Sequence, residues 1–103
     1  EGRRLLKSLA APLSAYLAAR DEILMVSGFT DDRPMRESSQ QFADNWELSA
    51  ARAISVVKYL IAQGVPANRL VAAGFGENQP IAEGDSVEAR SQNRRIELKL
   101  TER

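Results

Sequence analysis

The chain has 103 residues, 44% of them hydrophobic and 27% charged, which is the size and balance of one globular domain. Fourteen Lys and Arg offset fourteen Asp and Glu, so the concentrated basic surface that nucleic acid requires is not expected. With neither cysteine nor histidine, the sequence excludes disulfides, thiolate chemistry, the usual zinc sites and a histidine general base. No cofactor or metal is expected, and no apolar run approaches the ~20 residues of a membrane span.

In chain order, Leu9, Leu13, Tyr16 and Leu17 recur at helical spacing, which predicts a helix from about Leu9 to Arg20, with Ser8 as N-cap and Pro12 in the first turn. Residues 1–8 lack alternation, and the chain is expected to begin after, or partway through, an upstream strand. Ile23 to Phe29 is apolar on consecutive positions, as in a strand covered on both faces. The polar stretch Pro34 to Ala43 reads as a loop. A helix over about 45–63 has the plainest signals. Asp44 precedes Glu47 at capping-box spacing, Ala50, Ala53, Val57, Leu60 and Ile61 trace one face, and Gly64, Val65 and Pro66 end it.

Leu70 to Phe75 is a second short apolar strand. Reached from the first through a helix, it predicts a parallel pair with a right-handed crossover. Residues 77–85 form an acidic loop, Ser86 caps a short helix to about Gln92, and Ile96, Leu98 and Leu100 alternate with polar residues as in an edge strand buried on one face. The expected fold is mixed α/β: a two-layer sandwich with helices on a small mixed sheet, a parallel βαβ core and a C-terminal edge strand, as one domain over 1–103.

The turn Thr30-Asp31-Asp32 follows directly on a buried strand, at the carboxyl end where open α/β sheets bind ligands. The adjacent Asp31 and Asp32 diverge, and nothing fixes the second carboxylate that glycoside hydrolysis needs; their plainer reading is a turn that caps its own backbone. Arg52 flanks the apolar face of the capped helix. By its residue type it reads first as an ion pair with Glu47 or a loop carboxylate, its stem on the core and its head at the rim. Asn45 reads as a cap-region residue and Trp46 as a lid on the helix start. Gly74-Phe75-Gly76-Glu77 lacks the lysine and spacing of a P-loop and reads as a strand-ending turn, and Asn93-Arg94-Arg95 as a solvated edge or internal ion pairs.

Taken together, Val26-Ser27-Gly28-Phe29-Thr30-Asp31-Asp32, Asn45-Trp46-Glu47-Leu48-Ser49-Ala50-Ala51-Arg52-Ala53, Tyr59-Leu60, Gly64-Val65, Gly74-Phe75-Gly76-Glu77, Pro80 and Asn93-Arg94-Arg95-Ile96-Glu97 resemble the OmpA-like peptidoglycan-binding domain. The match runs from about Ile23 to Leu100. The Asp-Asp-x-Pro turn and the Asn-Trp-Glu-Leu-Ser helix start look most like the periplasmic part of MotB-type flagellar stator subunits. The resemblance implies no enzyme activity. It implies a periplasmic module, part of a longer protein anchored in the inner membrane through a segment outside this chain, homodimeric, and bound to the diaminopimelate of the peptidoglycan stem peptide. By the same carry-over Asp31 and Arg52 hold the free end of diaminopimelate, and Thr30, Asn45 and Leu48 wall the pocket. That end carries an ammonium and a carboxylate, which an aspartate and an arginine complement. The chain departs from the family pattern in having Phe29 where many members have histidine, and in lacking a recognisable upstream strand. The alternative is a structural or dimerisation domain that keeps the fold without the ligand.

Overall fold

The computed structural model describes residues 2–31, 43–84 and 86–102, with residues 2 and 3 described by their backbone alone. The elements are α1 (Gly2–Ala19), β1 (Glu22–Phe29), α2 (Asn45–Ala62), a single 3-10 turn (Ala67–Arg69), β2 (Leu70–Gly74), α3 (Val87–Asn93) and β3 (Arg95–Glu102). The described strands form one sheet in the order β2-β1-β3. β1 pairs with β2 in parallel, from Leu24↔Leu70 to Gly28↔Gly74, and with β3 antiparallel, from Glu22↔Glu102 to Phe29↔Arg95. The expected βαβ core, its central apolar strand and the C-terminal edge strand are all present.

α1 corrects the expectation for the N-terminus. It starts seven residues before Leu9, at Gly2, so residues 2–8 are helical and Ser8 is no N-cap. Its hydroxyl donates to the carbonyl of Arg4 at 3.0 Å, the back-bonding of a serine inside a helix. Pro12 lies within the helix, where its ring removes the bond to the Ser8 carbonyl. Packing outweighs that loss: Leu6, Ala10, Leu13 and Leu17 form one stripe against the core of Leu24, Val26, Ala53, Leu60 and Val65.

α2 follows its sequence signals closely. The Asp44 carboxylate accepts from the Glu47 N–H at 2.9 Å, while the Glu47 side chain reaches one residue further back than a capping box does, to the N–H of Ala43 at 3.2 Å. Gly64 ends the helix region with φ 102°, a conformation costly for any residue with a Cβ.

β3 alternates as expected but is covered less than expected. Ile96 packs on the core, whereas Leu98 and Leu100 are 38% and 40% exposed. Their partners Val26 and Leu24 share the same sheet face and are buried, so the helices cover the centre of the sheet and stop short of this edge.

Candidate functional site

The site end of the molecule is built by a close approach of helix to sheet. A Cβ placed on Gly28 would lie 2.2 Å from the Ser49 carbonyl oxygen, and one on Gly74 would lie 2.7 Å from the Ala50 nitrogen. These two glycines are register partners, so the first half of α2 rests directly on backbone at the carboxyl ends of β1 and β2. Ser49 is buried there, donating to the Trp46 carbonyl at 3.0 Å and accepting from the Gly76 N–H at 2.9 Å. The Thr30 N–H donates to the Gly76 carbonyl at 2.8 Å. Gly74-Phe75-Gly76-Glu77 is the strand-ending turn its sequence suggests, with Gly76 at φ 63°.

Asp31 and Thr30 are buried on this platform. The Thr30 hydroxyl donates to the Asp31 carbonyl at 3.0 Å. Asn45, the first residue of α2, donates through Nδ2 to the Asp31 carbonyl at 3.4 Å and to Glu77 Oε1 at 3.2 Å. Asn45 therefore does more than sit in the cap region: it ties the ends of β1 and β2 to the helix start. The Asp31 carboxylate meets Arg94, Nη1 to Oδ2, at 2.6 Å.

Arg52 lies seven residues along α2 from Asn45, about 10 Å along the axis and on the same side of the helix. It is exposed. The ion pair with Glu47 is not formed, since Glu47 is occupied with the helix start; among the described residues Arg52 forms no hydrogen bond or salt bridge, and the loop carboxylates Asp32 and Glu37 lie outside the described residues. Leu48, half-buried, stands on the same flank. Trp46 is 53% exposed, with its ring against Gly76. A hollow of about 270 Å³ is lined by Thr30, Glu77, Pro80, Ala82, Glu83, Gly84 and Asn93; neither Asp31 nor Arg52 is part of that lining.

The Asn-Arg-Arg run divides into three tasks. Asn93 accepts from the N–H groups of Ile81 and Ala82 at 2.8 and 3.0 Å and donates to the Ala82 carbonyl at 3.0 Å, clamping the acidic loop. Arg94 turns to Asp31. Arg95 lies 3.9 Å above the Phe29 ring, pairs with Glu97 and donates to the Gln79 carbonyl at 2.9 Å. These are internal ion pairs, the second of the two readings of that run. Phe29 stacks on Phe75 with ring centroids 4.9 Å apart; by the pleat it occupies the sheet face opposite Gly28 and α2. Arg94 and Glu77 are the members of the site that spacing alone did not single out. The signal for Arg94 was present only as a choice between two adjacent arginines.

Residues 1–94 match the model of the OmpA family. The chain is 44% identical over 73 residues to motility protein B of Helicobacter pylori, covering 71% of this chain and 28% of that protein. It is 36% identical over 83 residues to the peptidoglycan-associated lipoprotein of Pseudomonas putida, covering 81% of this chain and 46% of that one. It matches the crystal structure of the C-terminal domain of Helicobacter pylori MotB with a TM-score of 0.85 at 35% identity, over 96% of this chain and 72% of that chain. The chain thus spans less than a third of the motility protein it resembles.

Proposed function

The chain belongs to the OmpA family, and from that premise we propose that it is a noncatalytic module that binds peptidoglycan through the diaminopimelate of the stem peptide. Asp31 takes the ammonium of the free end and Arg52 takes the carboxylate; Thr30, Asn45 and Leu48 shape the wall between them. In the parent protein the module sits in the periplasm, dimerises, and holds a flagellar-stator-like protein of the inner membrane to the cell wall. The relatives named for motility and for peptidoglycan association support this reading.

The observation that carries it is Arg52: an exposed guanidinium with no partner among the described residues, on the side of α2 whose first residue binds Asp31. An arginine in that state is a ready receptor for a carboxylate, which it can grip with two parallel hydrogen bonds. Purified sacculi test the proposal. The parent chain is expected to sediment with them, and Arg52→Ala and Asp31→Ala to stay in solution. If the charges are desolvated by the ligand, each loss is on the order of 2–5 kcal/mol. Because Arg52 is exposed, its replacement should change thermal stability by less than about 0.5 kcal/mol. Equal retention of all three proteins refutes the site.

A second reading, a dimerisation domain without wall binding, is favoured by Leu98 and Leu100, exposed together on one edge strand. It requires a concentration-independent dimer in light scattering together with no retention on sacculi.

A further inference from the structure

Asp31 places a carboxylate in a nearly closed setting: its side chain is 9% exposed, while the Arg94 side chain that meets it is 41% exposed. Burial penalises a charge, and an adjacent opposite charge restores it. The arginine that supplies this charge is sixty-three residues away in sequence, so the contact exists only through the fold. Its platform is firm. The Arg94 N–H donates to the Arg90 carbonyl at 3.1 Å, closing the end of α3, and Asn93 beside it is pinned by three hydrogen bonds to residues 81 and 82.

We propose that Arg94 is a positioning residue of the binding site, keeping the Asp31 carboxylate charged and aimed so that a ligand ammonium meets an anion. The proposal rests on Asp31 being the partner of that ammonium, as argued above. Arg94 and Arg52 then have separate tasks. Arg52 touches the ligand itself, and Arg94 acts through Asp31 from the opposite side, leaving the ligand's carboxylate alone. The contact joins one nitrogen to one oxygen, so it needs a point charge and not the guanidinium fork.

The test measures affinity of the 103-residue chain for two soluble muropeptides, by calorimetry. One carries diaminopimelate; the other has the free-end amino group replaced by hydrogen and keeps the carboxylate. The parent is expected to prefer the first. Arg94→Gln is expected to weaken the first by about tenfold and the second by less than about twofold, because only the ammonium is read through Asp31. Arg94→Lys is expected to restore the preference. Equal weakening of both ligands makes Arg94 merely structural and overturns the proposal. Tighter binding by Arg94→Gln overturns it differently, making Arg94 a competitor for the ammonium's place. If Arg94→Gln fails to fold, Arg94→Lys decides, since a folded lysine variant without the preference also overturns it. A parent chain that binds both ligands equally overturns the reading of Asp31 itself, whereas a preference that survives in folded Arg94→Gln overturns Arg94 alone.

Discussion

The two ends of the sheet each recruit a distant arginine and use it in opposite ways. At the amino end of β1, Arg69 donates through Nη1 to the carbonyls of Leu17, Arg20 and Glu22 at 2.8, 2.7 and 3.0 Å. α1 has no basic residue in its last turn, and Arg69 supplies that cation from beyond α2, satisfying carbonyls the helix end leaves open. At the carboxyl end, Arg94 meets a side-chain charge, and Arg52 meets none among the described residues. The first end uses its charge to close the backbone; the second keeps charge available at the surface. The contrast separates an end that closes on its own backbone from one that leaves a guanidinium exposed, although both lie on the same three strands.

The largest expected effect blurs that separation, because the site end has its own structural requirement. Gly28→Ala drives a methyl group into the backbone of α2 at 2.2 Å. Since backbone cannot swing aside, denaturant unfolding should show a loss of about 3 kcal/mol or more, at the upper end for overpacking. Arg69→Met comes next and sharpens the comparison. It should cost about 2 kcal/mol, the value of charge-assisted hydrogen bonds to half-buried carbonyls, yet leave sacculus retention intact at temperatures where the variant is folded. Lost retention in folded Arg69→Met would mean the two ends are coupled.

The smallest effect is again at the amino end. The Tyr16 hydroxyl donates to Glu22 Oε1 at 3.0 Å, and this bond, with burial adding, holds the phenol above its ordinary value of 10.0. A group raised on folding adds stability that is complete below the unfolded value and disappears as pH rises through the folded one. The difference in melting temperature between the parent and Tyr16→Phe should therefore be constant to about pH 10 and shrink above it. A difference that grows above pH 10 would reverse the sign and exclude this bond as its source.

How much of this is legible in the sequence depends on the distance over which each cause acts. The caps of α2 and α3 are local: Asp44, Ser86 and Gly64 act within a few residues, and the structure places them as read, with Ser86 accepting from the Ala89 N–H at 3.1 Å. The start of α1 is not legible, because the local objection of Pro12 is outweighed by packing of Leu6 and Ala10 on a core assembled from residues 24 to 65. A glycine inside a strand is a sign of close approach by another backbone, so Gly28 carried a signal, though not the identity of what approaches. The task of Arg69, which joins residues 47 to 52 positions apart, leaves no spacing to read. Likewise, nothing in Asn93-Arg94-Arg95 says which arginine turns inward. That follows from α3 ending at Asn93 and β3 beginning at Arg95, which leaves Arg94 at the corner.

β1 leads from the end of α1 straight to Asp31, with a neighbour hydrogen-bonded along each side. In the function proposed above, a pull between the α1 end and a ligand held at Asp31 would run lengthwise down this strand. That load would pass along the covalent backbone of β1, which the ladders to β2 and β3 hold extended on both sides. The same strand that presents the acidic group is thereby the part of the sheet best placed to bear mechanical load.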